Sequence, residues 1–108
     1  MKLVELVNYF RSGGAYEDFC QSQSLNTESE VIEIYMEKPF NLDNSLAFFE
    51  IEKTEGKNEY ILNGVKYFNL IDFYYFLDSI EESNIDENAS LTDNEIAKKI
   101  YDYAINDA

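Results

Sequence analysis

The apolar positions of the chain change period twice. Leu3, Leu6, Val7 and Phe10 recur at intervals of three and four, the spacing that lines one face of a helix. Ser12-Gly13-Gly14 closes that run, because glycine enters the left-handed conformation past a helix C-terminus without a Cβ penalty. A short second helix is predicted next, with Tyr16, Phe19 and Cys20 on its inner side. After a polar, turn-like stretch at 21–29 the period becomes two. In "VIEIYM" Ile32, Ile34 and Met36 alternate with Glu33 and Tyr35, the pattern of a half-buried strand. "EKPFNLDNS" holds the single proline, Pro39, and reads as a loop from which Phe40 and Leu42 tuck back under the sheet. "LAFFEIE" predicts a second strand, with Ala47, Phe49 and Ile51 on one face and Phe48, Glu50 and Glu52 on the other.

The sharpest local signal is "YILNGVKYF". Asn63-Gly64 between two β-rich runs specifies a two-residue type I′ hairpin, since both residues tolerate positive φ. Leu62 then lies opposite Val65 and Tyr60 opposite Tyr67, four side chains expected to look into the core. Ile61 and Lys66 fall on the other side. In "NLIDFYYFLDSIEES" Asn69 is placed to cap a helix over 69–83, with an apolar stripe of Leu70, Phe73, Leu77 and Ile80. Ile71, Tyr74, Tyr75 and Phe76 widen the stripe nearly all round, so this helix is buried on more than one side or offers surface to a partner. Thr92 and Glu95 form a capping box before a last helix carrying Ile96, Ile100 and Ala104. The sum is an α+β fold: an antiparallel sheet of about four strands, including the Asn63-Gly64 hairpin, flanked by N-terminal and C-terminal helices.

Composition narrows the class. The 108 residues are expected to form one domain, 1–108, and nine tyrosines and eight phenylalanines supply ample core material. Cys20 has no partner for a disulfide, which favours a reducing compartment. Glu5, Asn8 and Arg11 interrupt any signal-peptide core at the start, and no apolar run approaches the ~20 residues that span a bilayer. The expected location is the cytoplasm.

Catalytic chemistry has little to build on. With no histidine there is no triad and no imidazole base, and no phosphate-cradling or dinucleotide-binding loop is present. Adjacent acids such as Glu81-Glu82 or Asp86-Glu87 lack apolar surroundings that would shift a pKa. Residues 86–97 begin like a calcium loop, but Leu91 stands where glycine makes the turn and Ala97 where a bidentate glutamate belongs. The expectation is a non-enzyme without cofactor or metal.

Charge is the main functional evidence. Twenty-two acids against eight bases give a formal net charge of −14. That is more than solubility needs, and it repels nucleic acid and anionic membranes alike. "EESNIDENASLTDNE", 81–95, carries no base, and none occurs from Asp72 to Glu95. A one-sign field of this extent steers a basic partner. The expected partner-binding residues are Asp72, Asp78, Glu81, Glu82, Asp86 and Glu87, with Tyr75 as an aromatic anchor and Glu50 and Glu52 as a second patch at the sheet edge. The partner so implied is a basic protein that itself holds phosphates, such as a nuclease. Oligomeric state is left open.

A short, strongly acidic, histidine-free α+β chain with no catalytic motif resembles the immunity proteins of bacterial toxin systems, particularly contact-dependent growth inhibition. The likeness is one of size, charge and layout over the whole chain. "EKPFNLDNSLAFFEIE", an aromatic–Leu–Asp loop feeding a strand, is similar to stretches of some of these proteins. The resemblance implies binding of a cognate toxin domain, commonly a nuclease, and no binding residue is carried over by position. Two other readings use the same composition: a DNA-mimic inhibitor of a nucleic-acid enzyme, of phage or mobile-element origin, and a non-catalytic acidic adaptor domain.

Overall fold

The computed structural model describes residues 1–85 and 89–106. Helices α1 (Leu3–Arg11) and α2 (Tyr16–Ser22) precede strands β1 (Ile32–Met36) and β2 (Leu46–Glu50). A single helical turn, α3 (Ile51–Thr54), leads to β3 (Glu59–Leu62) and β4 (Val65–Asp72), and helices α4 (Phe73–Ser83) and α5 (Asp93–Asn106) complete the chain. The sheet is antiparallel throughout, in the order β2-β1-β4-β3. The α+β layout therefore agrees with the hydrophobic patterning.

One face of the sheet carries the main core. Ile32, Ile34 and Met36 of β1 pack with Leu3, Leu6 and Phe10 of α1, Phe73 and Phe76 of α4, and Ile96 and Ile100 of α5. Phe10 and Phe73 are the aromatic hub, meeting edge to face at 5.7 Å. Edge-to-face contact adds to plain burial because the ring edge is positive and the face negative. Gly14 matters here for space: a Cβ at that position would lie 2.4 Å from the Tyr9 ring. Arg11 ties α1 to the far end of the chain, donating to the Leu91 carbonyl (2.9 Å) and pairing with Asp93 (3.0 Å).

The second face is buried too, and this corrects the expectation of a half-exposed β1: all five of its residues are buried. The cause is curl. β2 and β3 are opposite edges of the sheet, about 14 Å apart across three flat strand spacings. Yet Phe49 on β2 lies 4.7 Å from the Tyr60 ring on β3 and 5.5 Å from Tyr67 on β4. The sheet wraps round this cluster, and the 51–58 connection folds over Glu33 and Tyr35. Tyr35 donates its hydroxyl to the Lys57 carbonyl.

The hairpin has the expected register, Leu62↔Val65 and Tyr60↔Tyr67, with Asn63 at φ 52° and Gly64 at φ 81°. Its four paired residues do not reach the helix-covered core, however. Tyr60 and Tyr67 line the inside of the curl, and Leu62 at the rim stays exposed. Two boundaries also differ from the sequence reading. β2 stops at Glu50, where the chain turns into α3, so Glu52 is helical. The strand before α4 continues to Asp72, paired with Glu33, so Asp72 and not Asn69 caps the helix, accepting from the Tyr75 N–H at 2.7 Å. Asn69 is held in the strand because its amide donates to Glu33 (2.8 Å). The Thr92–Glu95 capping box forms as expected, with bonds of 3.0 and 3.2 Å.

If Phe49 closes the curl, Phe49→Ala removes a buried ring that three tyrosines share. It should lower unfolding free energy by about 3–4 kcal/mol, against less than ~0.5 kcal/mol for Ile61→Thr at an exposed position, both read by denaturant titration. Near-neutral Phe49→Ala would mean that the strand hydrogen bonds alone hold the curl.

Candidate functional site

The antiparallel register gathers acids at one end of the sheet. Ile32 pairs with Glu50 and Glu33 with Asp72, so the chain enters β1 from Glu30 at the end where β2 and β4 finish. α3 starts there and adds Glu52. Several of these carboxylates already serve the fold. Glu50 accepts from the Asn26 N–H (2.7 Å) and pairs with Lys53 (3.3 Å). Glu52 accepts from the Ser29 hydroxyl and from the Glu30 N–H (3.1 Å). Together they latch the 26–30 segment onto the sheet end. Asp72 Oδ1 is taken by the α4 cap.

The predicted residues on α4 are placed differently. Asp78 and Glu81 are exposed, and neither side-chain carboxylate has a polar partner among the described residues. They share a helix face with Tyr74, at i, i+4 and i+7. Tyr74 is 53 % exposed, and its hydroxyl donates to the Glu30 carbonyl (2.9 Å), which joins this face to the sheet end. Among the described residues, Arg11, Lys53, Lys57, Lys66 and Lys98 sit in ion pairs with other acids: Asp93, Glu50, Glu55, Glu59 and Asp102. None of these pairs reaches Asp78 or Glu81. Tyr74, Asp78, Glu81 and Glu30 thus form an acidic rim round an exposed aromatic ring.

Tyr75 is no exposed anchor. Its ring stacks on Tyr103 of α5 at 4.3 Å and 11°, and desolvation raises its pKa. Glu82, exposed one helical step along, borders a small hollow between α4 and α5 with Tyr75, Ser79 and Lys99. Asp86 and Glu87, and with them the start of the calcium-like stretch, lie outside the described residues.

A second constellation went unread in the sequence. Glu33 is only 7 % exposed. Thr54 donates its hydroxyl to Glu33 Oε1 (2.6 Å), Asn69 donates to Oε2, and the Tyr35 hydroxyl lies 3.4 Å from Oε1. Beside this carboxyl opens a cavity of about 290 Å³, lined by Glu33, residues 69–72, Tyr75 and Tyr103. The alternation of "VIEIYM" placed Glu33 opposite the apolar face, and only the curl turns that side inward. Cys20 is buried, and desolvation raises its thiol pKa, the setting of an inert thiol.

Among the described residues no three side chains are grouped to hold a metal ion, and no helix is long and apolar enough to cross a membrane. Comparison with protein-family models, curated proteins and solved structures finds no match to this chain.

The Glu52 latch gives a pH dependence of known sign. Bonds from Ser29, Glu30 and its own backbone hold the Glu52 pKa below the ordinary glutamate value. Its contribution is therefore complete above the unfolded-state value, ~4.3, and is lost as pH falls through the lowered folded value. Hydrogen exchange at the Glu30 amide should accelerate, relative to its intrinsic rate, on acidification through that window. Glu52→Gln should flatten the response; an unchanged profile in the variant would assign it to another group.

Proposed function

We propose that this protein is an acidic inhibitor that docks on a basic protein, in the manner of an immunity protein neutralising a cognate toxin domain, with a nuclease as the favoured target. The observation that carries this reading is the rim of Tyr74, Asp78, Glu81 and Glu30: carboxylates without an ion-pair partner among the described residues, beside an exposed aromatic ring. An aromatic ring inside a one-sign field is the composition of a docking centre, in which charge speeds encounter and the ring supplies the contact that lasts. Among the described residues, Arg11, Lys53, Lys57, Lys66 and Lys98 are engaged with other acids. The reading is of a binding protein working inside the cell that produces its target, with no catalytic step of its own.

The net charge supports the same conclusion from the partner's side. A protein that binds phosphate backbones must display lysine and arginine, and the surface most complementary to it is one like this. A DNA mimic would share the charge, but it would engage many unrelated DNA-binding enzymes.

The test is protection. Co-expression should rescue cells from a cognate toxic domain, to be sought first in the neighbouring reading frame, and the two purified proteins should form a stable complex. Replacing Glu30, Asp78 and Glu81 by their amides should slow association about tenfold at low salt, flatten its salt dependence, and leave dissociation nearly unchanged. An association rate untouched by the triple change would move the interface off this rim. Equal inhibition of several unrelated DNA-binding enzymes would replace immunity by mimicry.

A further inference from the structure

We infer that the cavity beside Tyr103 is a receptor for a guanidinium group, filled by an arginine side chain of the basic partner. The occupant's origin rests on the function proposed above; the pocket's chemistry stands on its own geometry. β3 ends its pairing at Glu59↔Phe68, and the Asn69 N–H reaches Asn58, so residues 70–72 of β4 have β1 on one side and no strand on the other. Residues 69–72 line a cavity of about 290 Å³ together with Glu33, Tyr75 and Tyr103. This lies just below the ~300–1,000 Å³ of sites for drug-sized ligands, a volume suited to one long side chain.

The walls select for charge and shape. Among the described residues, two carboxyl groups line it, Glu33 and Asp72, and no base does. Glu33 is buried and fixed by Thr54 and Asn69, so it presents a preorganised acceptor without an ion-pair partner among the described residues. Buried carboxylates are ordinarily paired. Asp72 spends Oδ1 on the helix cap and keeps Oδ2. The stacked Tyr75–Tyr103 pair forms an aromatic wall, and Tyr103 stays 37 % exposed. Carboxylates beside an aromatic face match a planar, weakly hydrated guanidinium better than a compact, strongly hydrated ammonium.

The experiment titrates N-acetyl-arginine amide into the full-length protein and follows two-dimensional NMR spectra. N-acetyl-citrulline amide serves as the uncharged control of the same shape. Saturable shifts should appear at the Asn69 side-chain amide, the 70–72 backbone and the Tyr103 ring, and be absent with citrulline. Asp72→Asn, which keeps a capping side chain, and Tyr103→Leu should each weaken the arginine response roughly two- to fivefold; Glu33→Gln should do so without loss of the folded spectrum. Equal responses to both probes, or arginine shifts spread over α2 and α4 with none at Asn69, would overturn the pocket. Rate effects at the Tyr74 rim with a silent cavity would overturn it while leaving the proposed function intact. A saturating cavity response in a protein that protects against no toxin would support the pocket and remove only the identity of its occupant.

Discussion

Contact between Phe49 and Tyr60 governs much of what this chain becomes. It joins side chains from the two outer strands of a four-stranded sheet, a meeting that a flat sheet forbids. Bending the sheet that far turns the Glu33–Tyr35 side of β1 into an interior, so a short domain gains a second apolar cluster beneath its helix-covered one. The 51–58 connection has to cross the opening. It brings Thr54 to Glu33 and the Lys57 carbonyl to the Tyr35 hydroxyl, so the polar groups on that face find partners within the protein. Unpaired burial of the same groups would cost free energy.

Scarcity of cations imposes a second constraint. Eight bases cannot neutralise twenty-two acids, and the fold answers by giving carboxylates neutral donors. Glu5 accepts from the Lys2 N–H, Asp72 from Tyr75, Glu95 from Thr92, and Glu52 from Glu30. Acids also stand in the first turns of α1, α2 and α5, where unpaired N–H groups and the helix dipole favour negative charge. A sizeable part of the acidity is therefore structural. The sequence shows a surplus of carboxylates but not which of them are engaged, since engagement depends on loops meeting helix ends in space.

The local grammar was readable and the global bend was not. Helix periodicity in α1, the capping box of α5 and the Asn63-Gly64 turn are set by neighbouring residues, and each formed as the chain implied. The hairpin's orientation depends on Phe49, eleven residues before Tyr60, and on curl that alternation cannot encode. Asn69 misled for a related reason. It is a good capping residue by type, but the carboxyl of Glu33, thirty-six positions away, claims its amide and keeps β4 extended to Asp72. Of the candidate binding residues, Asp78 and Glu81 emerge with no work inside the fold. Glu50, Glu52 and Asp72 emerge as latches and a cap, and Tyr75 as half of a stack. Tyr74 took the exposed role because a one-residue step round α4 separates the buried face from solvent.

The carboxylates that remain after the engaged ones are subtracted bear on the proposed function. A duplex mimic needs charge repeated at phosphate-like intervals along an extended surface, without preference for where aromatic groups lie. Here unengaged acids occur at both ends of β1, with Glu37 and Asp43 at one and Glu30 at the other. Aromatic exposure is less spread: among the described residues the exposed rings are Tyr74 on α4 and Tyr103 on α5. Binding energy concentrates where a ring can be desolvated inside a complementary field, whereas dispersed charge contributes mainly to the rate of encounter. Under the proposed function, exposed rings confined to two helices favour one partner in one orientation over mimicry of a repeating polymer.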